Sequence, residues 1–274
     1  MHIKVANLPD RSVRYLEAGR GRPLVLLHAF PLSADQWLPQ LHRVPPGWRA
    51  VAPDLRGFRG TRSILSYIGG EPVTIDTYAA DVLALMTHLE IESAVIAGVS
   101  MGGYVAFAML RQAAPRVRGL VLANTRAAAD SAESAAARDQ LIVLAEREGP
   151  AAIARGMTPK LLGETSRRDQ PDLEQAVRSL IESNTTEALV AALRAMKGRP
   201  DARTQLQAIG SPTLVLAGEE DAVISISEAE SMRQRIPGAS LVRLPRVGHL
   251  SNLEAPGAFS EALGSLLARV DVKA

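Results

Sequence analysis

Short apolar runs alternate with amphipathic helical patterns through most of this chain, and that alternation restricts the fold more than any other feature. Residues 23–30 (PLVLLHAF) are bounded by Gly21 and Arg22 before and Pro31 after. Such a run reads as a strand buried on both faces. Comparable runs occupy 49–53, 93–99, 120–123, 213–217 and 240–244. Between them lie amphipathic stretches at 34–44, 75–89, 102–113, 227–235 and 259–270. Strand–helix–strand succession implies right-handed crossovers and a mostly parallel sheet covered on both sides. An N-terminal pair at 2–6 and 13–17 is expected to add an antiparallel edge.

The alternation stops between residues 126 and 206, where long helical patterns at 138–148, 173–182 and 186–196 occur without a convincing strand. It resumes at Thr213. The expected organisation is therefore one core, residues 1–125 and 207–274, with a helical cap of residues 126–206 lying over one end of the sheet. Basic and acidic side chains cancel within the cap, which leaves it no field to steer a charged partner.

Composition removes several function classes. The chain has no cysteine, which excludes thiolate chemistry, cysteine-ligated zinc, iron–sulfur clusters and disulfides. Its 31 basic and 29 acidic residues leave a net charge of +2, with no run of five like charges. Aromatic residues are only 4% of the chain. Without a concentrated basic face or stacking residues, no nucleic-acid partner is expected. No apolar run approaches the roughly 18 residues of a membrane helix. The amino terminus lacks the apolar core of a signal peptide, so the expectation is a cytoplasmic protein, or one whose leader was removed, that does not enter a membrane.

The chemistry centres on Gly98-Val99-Ser100-Met101-Gly102, which follows an apolar strand and opens a helix. A turn that tight needs glycine at 98 and 102, strains the serine backbone, and lifts its hydroxyl above the sheet. The Met101 N–H points the same way, where the helix dipole favours an oxyanion. A serine also needs a base and a carboxylate to orient that base. Of five histidines, His2 is terminal, His42 and His88 fall in helical patterns, and His28 lies near the end of the 23–30 run. His249 follows a strand, in Val247-Gly248-His249-Leu250, where a loop can hang over the carboxyl edge of the sheet. For the acid, Glu219, Glu220 and Asp221 are consecutive candidates after the 213–217 strand. The rival position after the preceding strand holds Asn124, which is no acid. Serine, then acid, then histidine is the chain order of an α/β-hydrolase site.

These motifs resemble those of the α/β-hydrolase fold superfamily over nearly the whole chain. Leu27-His28-Ala29-Phe30-Pro31 is similar to its His-Gly-x-Pro oxyanion loop, with Ala29 in place of glycine. Asp54-Leu55-Arg56-Gly57-Phe58-Arg59-Gly60 resembles its D-x-R-G-x-G turn with one residue inserted. Gly218-x-x-Asp221 resembles its acid loop, and Gly248-His249-x-x-x-x-Glu254-x-Pro256 its histidine loop. The resemblance implies Ser100 as nucleophile, His249 as general base and Asp221 as its orienting acid. It implies an oxyanion hole from the backbone N–H groups of Phe30 and Met101, and a loop-bracing role for Asp54 and Arg56.

Within the superfamily, Ala195-Met196-Lys197-Gly198-Arg199-Pro200-Asp201 and the helices before it resemble small capped esterases. That group includes 3-oxoadipate enol-lactonases and cofactor-free haloperoxidase-like enzymes. The implied activity is hydrolysis of a small-molecule carboxylic ester or lactone through an acyl-enzyme, an acyl-homoserine lactone included. No metal and no organic cofactor is expected. Perhydrolysis or carbon–carbon bond hydrolysis on the same triad are alternatives, as is a non-catalytic ligand receptor. The sequence does not give the oligomeric state.

Overall fold

The structure is a computed structural model that describes residues 1–60 and 72–270. Residues 61–71 and 271–274 of the expected core lie outside the described residues. In chain order the elements begin with β1 (His2–Leu8), β2 (Arg11–Gly19), β3 (Arg22–Leu27), α1 (Leu38–Leu41), β4 (Trp48–Pro53) and α2 (Ile75–His88). They continue with β5 (Ala94–Val99), α3 (Met101–Ala113), β6 (Val117–Ala123), α4 (Ala132–Leu161), α5 (Glu164–Asp169), α6 (Pro171–Glu182) and α7 (Thr186–Lys197). The chain closes with β7 (Thr213–Gly218), α8 (Ile226–Arg235), β8 (Ser240–Leu244), α9 (Ser251–Glu254) and α10 (Pro256–Leu267).

The strands form one eight-stranded sheet in the order β1-β2-β4-β3-β5-β6-β7-β8. β2 pairs antiparallel with β1 and β4, and every pairing from β4 through β8 is parallel. The sequence pattern explains the positions. β5 is buried at every residue, as a central strand between two helical layers must be, whereas β1 exposes Ile3 and Val5 at the sheet edge. α2 is started by a reciprocal capping box between Thr74 and Thr77. The stretch expected as a helix at 34–44 is instead a short 3-10 turn and the four-residue α1.

α4 to α7 form a helical insert between β6 and β7. α4 bends at Gly149, whose φ of 73° precedes Pro150 and lets the chain turn there. The insert is closed at its root: Ala202 N–H donates to Ala127 O at 2.8 Å. Asp130 is buried there and pairs with Arg126 (2.7 Å), Arg138 (2.5 Å) and Arg199 (2.7 Å). The Arg199 guanidinium also lies 4.0 Å over the Tyr104 ring of α3, joining insert to core. Asn184, after α6, donates to Pro31 O at 2.9 Å and accepts from Arg59 N–H at 3.2 Å. Those partners follow β3 and β4, so the insert lies over the carboxyl edge of the sheet. Among the described residues no helix is long and apolar enough to cross a membrane.

Candidate active site

Ser100 connects β5 to α3 with φ 53° and ψ −113°, a left-handed conformation that costs a non-glycine residue energy. The turn leaves no room for side chains on either flank. A Cβ on Gly98 would lie 2.3 Å from the Gly102 carbonyl carbon, and one on Gly102 would lie 2.2 Å from Leu27 O. Main-chain bonds hold the strained residue: Ser100 N–H donates to Ala123 O at 2.9 Å, and Thr125 Oγ1 donates to Ser100 O at 2.8 Å. Met101 is the first residue of α3, so its N–H has no acceptor within the helix.

The loop after β3 carries Phe30, the other residue expected to donate. Ala29 O accepts from Leu32 N–H at 2.9 Å and from His28 Nδ1 at 3.0 Å. His28 Nε2 accepts from Leu55 N–H at 3.1 Å, which puts the proton on Nδ1. Because a trans peptide is planar, fixing the Ala29 carbonyl aims the Phe30 N–H in the opposite direction. His28 is fully buried, and burial pushes its pKa down to about 4, so the ring is neutral in this role. Ala29 does not occupy the left-handed region, and alanine therefore serves in place of glycine without backbone strain. Its N–H donates to Gln36 Oε1 at 2.8 Å, and Gln36 in turn donates to Asn252 Oδ1 at 2.9 Å.

Asp221 follows β7 and His249 follows β8. His249 Nδ1–H donates to both carboxylate oxygens, at 2.9 Å to Oδ2 and 3.0 Å to Oδ1. Both side chains are about 1% exposed. Asp221 Oδ1 also accepts from Val223 N–H at 2.8 Å and Ile224 N–H at 2.9 Å. Burial pushes the Asp221 carboxyl up, but His249, the Ile224 N–H and Asn124 together hold it below the ordinary carboxylate range. With Nδ1 committed to the acid, Nε2 is the nitrogen left to exchange a proton.

The structure separates the three consecutive acids, of which Glu219 is exposed. Asp221 faces His249, while Glu220 turns away to accept from Thr165 N–H (2.8 Å) and Thr165 Oγ1 (2.6 Å) in the insert. Phe30, Ser100, Met101, Asp221 and His249 all follow the carboxyl ends of parallel strands, at β3, β5, β7 and β8. His2, His42 and His88 are exposed and lie outside this group. Asp54 accepts from Ala34 N–H in the loop after β3 at 2.8 Å and from Arg14 of β2 at 2.6 Å, and Arg56 binds both oxygens of Asp81 on α2 at 2.7 and 2.6 Å.

Three contributors were not read from the sequence. Asn124, noted there only because it is no acid, donates Nδ2–H to Asp221 Oδ2 at 2.9 Å. Glu254 is buried and accepts from the backbone around His249, a use that its place in the histidine motif does not announce. Asn252, three residues beyond His249, bonds Gln36 and Gln40 within a wholly buried amide cluster. Asn124 adopts a φ of 47°, which asparagine tolerates better than most residues, but its residue type alone carries no signal of its bond to Asp221.

A sheet of this order, with a strained serine at a strand-to-helix turn, defines the fold class. The chain belongs to the alpha/beta hydrolase fold family, whose sequence model matches residues 22–256. It is 26% identical over 262 residues to 3-oxoadipate enol-lactonase 2 of Acinetobacter baylyi, covering 95% of this chain and 94% of that protein. Among solved structures it is similar to a thermophilic esterase from Thermogutta terrifontis, with a TM-score of 0.88, 35% identity and 97% of both chains covered. The enol-lactonase from Burkholderia xenovorans superposes with a TM-score of 0.86 at 26% identity, covering 97% of this chain and 100% of that one.

Proposed function

We propose that the protein hydrolyses a compact carboxylic ester or lactone through an acyl-enzyme formed on Ser100. The observation that carries this reading is the buried His249–Asp221 pair, held at 2.9 Å on the same sheet edge as a strained elbow serine. In this mechanism His249 Nε2 takes the Ser100 proton as Oγ attacks the carbonyl carbon. Asp221 holds the imidazole in the required tautomer and stabilises the imidazolium. The Phe30 and Met101 N–H groups stabilise the oxyanion, and each such donor lowers the barrier by about 3 kcal/mol. His249 then protonates the leaving oxygen, and water, activated by the same base, releases the acid. No other group is required for these steps.

The substrate class rests on likeness. The similar proteins named above are an esterase and two enol-lactonases, which supports a small-acyl carboxylesterase or a lactonase. We read the α4–α7 insert as the cap that roofs the acyl site, because it is anchored on loops at the carboxyl edge. Initial rates on p-nitrophenyl esters of two to twelve carbons, beside pH-stat assays on γ-lactones and acyl-homoserine lactones, test the reading. Ester turnover that falls with chain length identifies an esterase, and faster lactone opening identifies a lactonase. No turnover of either class overturns the proposal.

A further inference from the structure

The joint between α4 and α5, residues 161–165, lies against both loops that carry the Asp221–His249 pair. Leu161 O accepts from the N–H groups of His249 (3.1 Å) and Leu250 (3.2 Å). Gly163 N–H donates to Glu254 Oε2 at 2.8 Å, and the same oxygen accepts from Gly248 N–H at 2.8 Å. Glu254 Oε1 accepts from Leu250 N–H at 3.0 Å. On the acid side, Thr165 binds Glu220, the residue before Asp221, through both its N–H and its hydroxyl. The approach is too close for side chains: a Cβ on Gly248 would lie 2.1 Å from Gly163 N, and one on Gly163 would lie 2.7 Å from Glu220 Oε2.

Asp221 and His249 sit on separate loops, from β7 and β8, which are joined directly by Glu220 N–H donating to Val247 O at 2.8 Å and across Asn124. A third segment bonded to both adds a restraint from the side of the insert. Glu254 is suited to this because its two oxygens serve three N–H donors, whereas a glutamine must turn its NH2 group against at least one of them. On the histidine side the bonds end on the main chain of residues 248–250 and so locate the loop itself, whereas on the acid side both end on the Glu220 carboxylate.

We propose that the 161–165 joint is a positioning element for the Asp221–His249 pair, acting through Thr165 and Glu254 as positioning residues. The helical insert is thus part of what aims the imidazole at Ser100. This rests on the reading of His249 as the base.

The test uses Thr165→Val, which keeps the shape and removes the hydroxyl, Thr165→Ser, which restores it, and Glu254→Gln. Rates on p-nitrophenyl butyrate are compared with the downfield proton resonance of the His249 Nδ1–H and with the thermal midpoint. The expected result for Thr165→Val is a kcat lower by about tenfold, with KM changed by less than about twofold and a shifted imidazole resonance. Thr165→Ser should recover most of that loss, and Glu254→Gln should show a larger kcat loss of the same kind. Folded Thr165→Val with unchanged kcat and resonance overturns the proposal, as does a kcat loss that serine does not rescue. His249→Ala separates the two readings. Retained turnover there removes the base and the inference with it, whereas lost turnover beside an unaffected Thr165→Val removes the inference alone.

Discussion

Asn124 and Asp221 meet across neighbouring strand ends, with the Asn124 amide donating to the carboxylate at 2.9 Å. The same amide nitrogen donates to Gly248 O at 3.1 Å, and Asn124 Oδ1 accepts from Ser251 Oγ at 2.5 Å. One side chain after β6 thus touches the acid loop, the histidine loop and the start of α9. An amide can do this because it donates and accepts at once. A carboxylate in its place would set two like charges against each other.

Asn124→Asp should therefore impair the pair more than its size suggests. The new carboxylate loses the donor to Asp221 and adds negative charge beside the imidazole proposed as the base, a role that requires its neutral form. Negative charge favours the imidazolium, so the acidic limb of the kcat/KM profile should move to higher pH. Activity at neutral pH should fall by about tenfold or more. A pH–rate profile that matches the parent would show that Asn124 does not bear on His249.

Ser100→Ala should abolish turnover while leaving the circular dichroism spectrum unchanged, and retained activity would remove Ser100 as nucleophile. Among the acids, Asp221→Asn should lower kcat by about a thousandfold or more, since it leaves the imidazole without its tautomer-setting acceptor. Glu220→Gln should cost at most about tenfold. The opposite ranking would place the orienting acid one residue earlier.

Asp130 stands against three guanidiniums at the root of the insert. Burial pushes its carboxyl up, but Arg138 and Arg199 outweigh this and hold it at about 2. A depressed carboxyl stabilises the fold above its unfolded pKa, and that contribution is lost as pH falls from about 4 towards about 2. Asp130→Asn should destabilise the protein by about 3 kcal/mol in urea unfolding at neutral pH, because it leaves the buried Arg199 and the half-buried Arg126 and Arg138 without their partner. An unchanged midpoint would mean that Arg126, Arg138 and Arg199 find other acceptors.

His28 predicts a slope of opposite origin. Its folded pKa, about 4, lies below the ordinary 6.5, so between these values the unfolded chain binds the extra proton. Stability contributed by this site therefore rises with pH through that window and is lost as pH falls through it, by about 3 kcal/mol in all. His28→Gln should flatten that part of the stability-against-pH curve. Parallel curves for parent and variant would place the titration elsewhere.

Much of the frame was legible because it is written in residue types. Apolar runs marked β3 to β8, glycines at 98 and 102 marked the elbow, and the Gly248-His249 pair marked the histidine loop. The three acids at 219–221 could not be separated by their chemistry, because the turn after β7 decides which one faces inward. The stretch at 34–44 has a helical apolar pattern, but Gln36 and Gln40 are drawn into bonds with Ala29 and Asn252. The pattern at 138–148 ended at Gly149, whereas the helix continues to Leu161 beyond a bend. The joint at 161–165 left little trace because its contacts run largely through main-chain atoms, which every residue has.

The insert leaves β6 and returns towards β7 through a single doorway, where Ala127 and Ala202 are bonded to each other and Asp130 ties Arg126 to Arg199. A segment whose two ends are fastened together behaves as a graft on its stock. Stretches of the insert away from that doorway, from the 161–165 joint and from Asn184 can change without loosening those anchors. Under the proposed function, change in those stretches is the route by which a different acyl group could be accommodated, with the elbow and its partners left in place.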